Sequence, residues 1–510
     1  MKELFFIICS ILFISNAFSQ DKGITTSLEK KRMICVRDES VPPSFTKREY
    51  VSEPRIISSC PFLDTMQWEY KDSLCIHLNI PPNGRTIFSI DTLADQIEII
   101  EMPDTLPTLV QEAISHAPPW LMDDLIDNFR RLSEAYQTIY ANLILNAPSL
   151  WIDEIAYQVA HISPEILEDS FFTPQLITVN TKFLYKNDTL LDYVAIIDYG
   201  SDSSTTRYRV IENHNIIEYE LPSKYYYMYI VHPELSDESP SMDGYVYNRF
   251  WRDYLFYEAD TGYPVLSEKL AGVKIMWDVA DTAQVYPPGR SFDTTDCALD
   301  VIGNWGTETV PQAAMGNRPI QPNVIAHEHN GNCGELQDLL QAAARAALIP
   351  TVAVMDVAED HVWCEFYYNG WHECQLDLGY GVTHINDFGT SYDRDVTGDP
   401  NGKEVSSVWN WRSDGYYWSV TERYSKSCSL HLSLYDAQSL PVDGARILVY
   451  AESSPWGGGL TTIGFTDSDG RCDFSLGNRR DFYVSITSPI GDYPGGDSIV
   501  KIISGSVFIC

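Results

Sequence analysis

The sequence predicts a multidomain α+β protein: a helical N-terminal segment, a β-rich middle region, an α+β core and a C-terminal β-sandwich. Three observations lead there. The 510 residues leave room for three or four domains at roughly 100–200 residues each. Hydrophobic residues make up 44% and charged residues 21%, which is ordinary for globular chains and unlike a disordered one. The spacing of apolar residues also changes along the chain, from helical to strand-like and back again.

The chain opens "MKELFFIICSILFISNAFSQDK". Lys2 supplies a positive start, Leu4 to Ile14 an apolar stretch, and Ala17 and Ser19 the small residues before a cut at Gln20. That pattern predicts a signal peptide over residues 1–19 and an exported product, secreted or held in the periplasm or cell envelope. Residues 20–107 mix short apolar runs with Pro and Cys and are left without a fold. Residues 108–172 read as helical, with Leu121, Leu125, Phe129, Leu132, Tyr136 and Tyr140 at helical spacing. "APPW" at 117 returns as "APSLW" at 147, hinting at a two-unit helical repeat. Residues 173–294, with "FLYKNDTLLDYVAIIDYG" and "KYYYMYIVHPEL", are rich in Tyr, Val and Ile and predict long strands. In the same region "YVYNRFWRDYLFYEAD" reads as an aromatic core or seam rather than a sugar-binding surface. Residues 295–426 place helix before strands. Residues 427–510 alternate apolar and polar residues between turns at Pro441, Gly444 and "DSDG". Because that turn chemistry is self-contained, the segment is expected to fold alone, and its removal to leave the rest of the chemistry intact.

The formal net charge of −36 excludes a phosphate-binding surface, which needs clustered Lys and Arg, so no nucleic-acid partner is expected. It equally disfavours anionic membrane surfaces. No apolar run after the leader reaches the 18 or more residues of a membrane helix, so no membrane insertion is expected. Of eleven cysteines, Cys9 falls in the leader. In an exported protein the rest are free to pair. Counting alone therefore leaves Cys333 open as a disulfide partner, a core thiol or a nucleophile. Nothing in the pattern sets an oligomeric state.

The stretch "HNGNCGELQDLLQAAARAALIPTVAVMD" bears on that choice. Gly331 and Asn332 are cap residues, and Leu336, Leu339, Leu340, Ala343, Ala344 and Ala347 line one helical face. Cys333 thus falls at the first turn, where unpaired N–H groups and the helix dipole favour a thiolate. Gly334 beside it leaves room for a substrate backbone. A strand follows, then His361 opens one arm of a hairpin turning at Asn369-Gly370. A thiol at a helix start and an imidazole on a facing sheet form a nucleophile–base pair.

"GNCGE", "IPTVAV" and "DHVWCEFYYNGWHE" together resemble the transglutaminase-like superfamily of papain-type cysteine enzymes. The resemblance covers residues 330–380 closely and 300–425 loosely. It implies a papain-type α+β core and acyl transfer from an amide: thiolate attack, a thioester, then release to water or an amine. The implied enzyme is a cysteine-type peptidase or amidohydrolase acting on a protein or peptide, and less readily a protein cross-linker. It needs no cofactor and no metal. The same fold without catalysis, an envelope binding or adhesion protein, is the alternative. In "PVDGARILVY" and "TDSDGR" the C-terminal segment resembles the carboxypeptidase regulatory-like, immunoglobulin-type accessory domains.

The family's third residue lies four after the hairpin Trp371, which here is Gln375; Asp377 is two further on. If the turn takes residues 368–370, with Gly370 left-handed, Tyr367 faces Trp371, Cys364 faces Cys374, and His361 faces Asp377 with Gln375 on the same side. Asp377 is then the first choice to orient His361, since a carboxylate also stabilises an imidazolium, and Gln375 the second. On this register Cys364 and Cys374, a possible disulfide, lie away from the active face. The resemblance also names Trp305 in "GNWG" as a candidate oxyanion donor. His327 and His329 in "AHEHNGNC" are a weak metal pair and are expected as surface loop residues, and His372 as packing beside Phe366. In "DRDVTGDPNGKE", Asp393, Asp395, Thr397, Gly398 and Glu404 fit calcium-loop positions, but Pro400 stands where a hydrophobic residue belongs. A solvated acidic loop is expected there.

Overall fold

The computed structural model describes most of residues 105–279, 297–377 and 405–493, with the strands Val382–Asn386 and Val500–Ile502 and two hairpins upstream. The leader and the loop 393–404 lie outside the described residues. The hairpins pair β1 (Gln67–Lys71) with β2 (Cys75–Asn79) and β3 (Ile87–Asp91) with β4 (Gln96–Ile100), both antiparallel.

Helix begins at Thr108, as the spacing predicts: α1 (Thr108–His116), α2 (Met122–Arg131), α3 (Glu134–Leu145), α4 (Ile152–His161) and α5 (Pro164–Leu167). The repeat is present. Helices α2 and α4 are each ten residues long, and each follows a short 3-10 turn, Pro119–Leu121 or Ser149–Trp151. Each then stops where the chain turns extended, at Leu132 or Ile162. Leu132 therefore divides the stretch from Leu121 to Tyr140 into two helices.

The β-rich middle is corrected. Among the described residues of this region, only β5 (Val194–Asp198), β6 (Ser204–Glu212) and β7 (Asn215–Glu220) form a sheet, antiparallel and in that order. "FLYKND" lies in α6 (Pro174–Asp188), and "KYYYMYIV" forms α7 (Ser223–Tyr226) running into a π-type turn at Tyr227–Val231. α8 (Trp251–Tyr257) and α9 (Leu266–Leu270) follow. A run that is apolar at every position lacks the period-two alternation of a half-buried strand and serves equally as a helix buried on all sides. Burial then overrides the β-propensity of Tyr and Val. The tyrosine hydroxyls find partners inside: Tyr226 donates to Glu154 Oε1 at 2.9 Å and Tyr227 to Asp153 Oδ2 at 2.6 Å.

The core block is helix first, strands after. It comprises α10 (Ala298–Thr309), α11 (Pro322–Glu328) and α12 (Cys333–Ala346), then β8 (Thr351–Asp356), β9 (His361–Tyr367), β10 (Trp371–Asp377), β11 (Val382–Asn386), β12 (Val408–Trp411), β13 (Tyr417–Ser419) and α13 (Thr421–Tyr424). The six strands form one antiparallel sheet in the order β11-β10-β9-β8-β12-β13. The hairpin register is the one read from the sequence: Tyr367 pairs with Trp371 and Cys364 with Cys374 across a three-residue turn. Asn369, at φ 51°, is the left-handed residue of that turn, with Gly370 at φ 155°. After α13, the β-rich C-terminal region has a two-stranded sheet, β14 (Cys428–Ser433) with β17 (Arg471–Leu476). It also has a five-stranded sheet of β15 (Arg446–Ala451), β16 (Gly459–Phe465), β18 (Phe482–Ser488), β19 (Gly491–Tyr493) and β20 (Val500–Ile502). Among the described residues no helix is long and apolar enough to cross a membrane.

Helix α12 is buried from Glu335 to Ala346, so the last carbonyls of its C-terminal end cannot turn to water and need protein donors. The upstream half supplies them. Asn187 Nδ2 donates to Ala346 O at 2.8 Å, Tyr193 OH to Ala347 O at 2.8 Å and Tyr208 OH to Leu348 O at 2.6 Å, while Arg252 Nη1 reaches Arg345 O. Leu348 closes the helix in the left-handed region at φ 61°, with Ile349 N bonded back to Ala344 O at 2.8 Å. Tyr208→Phe should therefore destabilise the protein by about 1–3 kcal/mol, the cost of a buried group left unpaired. Denaturant unfolding should show the lower midpoint with the slope unchanged; an unaltered midpoint would mean the cap is dispensable.

Candidate functional site

Cys333 is the first residue of α12, with Asn332 as the cap. Glu335 turns back to accept from Asn332 N at 2.7 Å and is itself held by Arg318 Nε at 2.6 Å, forming a capping box that fixes where the helix starts. Gly331 is sterically required, since a Cβ there would stand 2.8 Å from that of Glu335. Beside Gly334, Arg318 Nη2 lies 3.2 Å from where a Cβ would be, so part of the room expected for a substrate is occupied by a guanidinium. Cys333 is half-buried and not in a disulfide.

His361 is the first residue of β9 and pairs with Asp356 of β8. Its Nε2 meets Gln375 Oε1 at 3.2 Å. An amide oxygen only accepts, so in this contact Nε2 carries the proton. Trp363 stacks beside the imidazole, ring centres 5.6 Å apart. Behind it runs a buried chain: Trp363 Nε1 to Tyr424 OH at 3.0 Å, and Tyr424 OH to Glu365 Oε1 at 2.5 Å. Glu365 Oε2 accepts from Asn410 at 3.1 Å and pairs with Arg423. Burial pushes the Glu365 carboxyl up to about 7, against the hydrogen bonds from Tyr424 and Asn410.

Two contacts fix how α12 lies on the sheet. Cys364 Sγ donates to Gln337 O at 3.3 Å, and Thr351 Oγ1, whose residue pairs with Phe366, donates to Gln341 O at 3.1 Å. One helical turn, about 6 Å for four residues, thus matches two strand residues, about 6.7 Å, and helix and strand run the same way. One turn further back, Cys333 is level with the start of β9. Cys333 and His361 are therefore level along the strand direction, while alternation turns His361 and Gln375 to the face opposite the α12-covered one that carries Cys364 and Cys374.

Of the two candidates to orient His361, Gln375 makes a described contact. Asp377 ends β10, paired with Val382, and its side chain lies outside the described residues. Trp305 is corrected as an oxyanion donor: it is buried, and its one N–H donates to Pro264 O at 2.8 Å. Cys364 and Cys374 are free thiols, and their face is the one that α12 covers. Burial raises both thiol pKa values strongly. His372 packs as expected, on Phe366 and Trp277. His327 and His329 are not solvated loop residues. Both contact Asp260 Oδ2, at 2.9 and 3.2 Å, and His329 also stacks on Tyr263.

The sequence reading missed a buried polar knot. Among the described residues, His232, Glu234 and Asp414 bring three ligand-type atoms within 4.8 Å of one another. The hydrogen bonds fit it poorly to a metal. Glu234 N donates to His232 Nδ1 at 3.3 Å, which puts the ring proton on Nε2, the nitrogen facing Asp414. Both Asp414 oxygens are already taken by Arg412, at 2.8 and 2.6 Å. The group ties the segment after the π-type turn to the β12–β13 connection. Asp414 stands far along the sequence from His232 and Glu234, and no spacing marks the group.

The family model of the transglutaminase-like superfamily matches residues 294–376. That span takes in Cys333, His361 and Gln375 and stops one residue before Asp377. No curated protein matches the chain.

The ionisable partner of His361 across the sheet is Asp356. It is buried, accepts from Ser406 N at 2.8 Å and also contacts Ser406 Oγ. Burial raises its pKa from 3.8 to about 6, with the Ser406 hydrogen bonds opposing. Between those values the folded chain holds a proton that the unfolded chain releases, so this group's contribution to stability falls as pH rises from about 4 to about 6. Asp356→Asn, whose amide can still accept from Ser406 N and donate to its hydroxyl, should remove that slope. Thermal midpoints of the two proteins should diverge in the variant's favour across that window and run parallel above it; parallel curves throughout would refute the assignment.

Proposed function

We propose that this is an exported cysteine-type enzyme that transfers or hydrolyses acyl groups at amide bonds, most simply a peptidase or amidohydrolase acting on a protein or peptide. Cys333 is the nucleophile, His361 the base and Gln375 the residue that orients it. The observation that carries the reading is the His361–Gln375 contact at the end of the layer where α12 begins with Cys333. The superfamily match over the same residues supports it, and the leader pattern supports export.

The chemistry balances with these groups alone. His361 Nδ1 takes the Cys333 proton, and the thiolate, favoured by the helix start, adds to the substrate carbonyl carbon. The C–N bond breaks as the imidazolium returns its proton to the leaving amine, giving a thioester. Water, or an amine, then adds to the thioester while His361 accepts its proton, and the thiol leaves. Gln375 holds the Nε2–H tautomer throughout. An amide stabilises the imidazolium less than a carboxylate does, and this favours a second reading: a transglutaminase-like envelope protein that binds without catalysis.

Iodoacetamide labelling of the mature protein across pH, with the site mapped by mass spectrometry, separates the two. Cys333 should show a thiolate inflection below the roughly 8.5 of a free cysteine. Gln375→Ala should lower the rate of any amide-directed activity by at most the about 10²–10⁴-fold that a general base contributes, and Cys333→Ala should abolish it while the fold persists. A Cys333 with the inflection of a free thiol, or one oxidised to a partner in the exported protein, would end the enzymatic reading.

A further inference from the structure

The β-rich C-terminal region reads from its sequence as an appendage whose loss would not reach the thiol. Its contacts say otherwise. β8 and β9 are joined by only four residues, opening with a 3-10 turn at Val357–Glu359, and His361 emerges directly from them. Ala358 is packed into the C-terminal region's own hydrophobic core, with Val442, Ile447, Val449, Phe474 and Phe482. Glu359 is ion-paired with Arg480, both side chains buried, and Arg480 Nη2 also donates to Glu452 O at 2.8 Å. Asp356, the cross-strand partner of His361, contacts Ser406, whose hydroxyl meets Thr461 Oγ1 at 2.6 Å. The approach is close: Gly477 N donates to Ser406 O at 2.8 Å, and a Cβ on Gly477 would stand 2.0 Å from Val405 O.

We propose that the C-terminal region positions the base: Arg480, acting through Glu359, holds the short turn that delivers His361, and is a positioning residue for the site. This rests on the reading of His361 as the base. The physical ground is the lack of slack. A buried carboxylate stripped of its cation must reach water or take up a proton, and Glu359 can reach water only by moving a turn that ends two residues before the imidazole. The strand β9 is anchored further along by Trp363 and Cys364, so the displacement concentrates at His361.

The test uses the full chain with Arg480→Met and, as an independent break of the same pair, Glu359→Gln. Each is compared with Ile486→Val, a change in the same C-terminal core away from the turn. Two readouts are taken on protein shown by circular dichroism to be folded: the imidazole resonances and titration of His361, assigned with His361→Asn, and the pH profile of iodoacetamide alkylation at Cys333. In both pair-breaking variants the His361 resonances and titration midpoint should move. The Cys333 inflection should move about one unit toward that of a free thiol, a roughly ten-fold loss of alkylation rate at pH 6. Ile486→Val should leave both unchanged. Folded variants with the wild-type His361 titration would overturn the proposal, as would an equal shift in Ile486→Val. If His361 moves as expected but Cys333 behaves as a free thiol even in the wild type, the enzymatic reading fails while the positioning link stands.

Discussion

The structure is organised by the need to bury α12. A helix enclosed along almost its whole length can leave no carbonyl at its C-terminal end without a donor, and four upstream side chains answer that need: Asn187, Tyr193, Tyr208 and Arg252. They come from α6, from the entry to the three-stranded sheet, from β6 and from α8, so the helices and strands between residues 174 and 257 are arranged around one helix end. The polar residues inside α12 impose the same condition. Arg345 donates to Thr351 O at 3.0 and 2.8 Å and to Glu234 O at 2.8 Å, and Asp338 meets Ser236. The large region ahead of the superfamily match is therefore the socket in which the helix that begins at Cys333 is seated.

That arrangement explains why the middle region misleads when read by propensity. The tyrosines of "KYYYMYIV" look like strand residues, yet Tyr226 and Tyr227 carry hydroxyls into the helical repeat, to Glu154 and Asp153, and Tyr229 lies within cation–π distance of Arg345. Such positions are set by what surrounds them in space, and a local pattern cannot display that. The hairpin is the opposite case. Its register was legible because strand alternation is strict, and a single turn length fixes every cross-strand pair from Tyr367–Trp371 to Cys364–Cys374. The helix start at Cys333 was legible for a similar reason, since cap chemistry is local.

The candidate site was legible only in part, and the limit is instructive. Alternation put Gln375 and Asp377 on the same face as His361 but could not weigh a diagonal neighbour against a direct one. A preference for charge favoured Asp377, whose side chain lies outside the described residues; among the described contacts the imidazole meets the diagonal neighbour, Gln375. Trp305 failed as an oxyanion donor for a different reason. Its place on the chain says nothing of whether its single N–H is already engaged, and Pro264 O engages it. The face carrying Cys364 was correctly separated from that of His361. That it is the helix-covered face follows from Gln337 O, a contact between elements.

Taken together, the contacts divide the work between the two ends of the chain. The thiol is placed by its helix, and that helix is gripped at its far end by the upstream half. The imidazole is placed by the start of β9, and the turn before it is gripped by Arg480 and by the core that encloses Ala358. The sheet joins the two grips, through Cys364 on Gln337 O and Thr351 on Gln341 O. Geometry at a nucleophile–base pair must hold to within fractions of an ångström to be productive. On the proposed reading, that tolerance is met by clamping each partner from a different side. The segment that the superfamily model matches, residues 294–376, contains Cys333 and His361, and side chains that hold their elements lie before and after it.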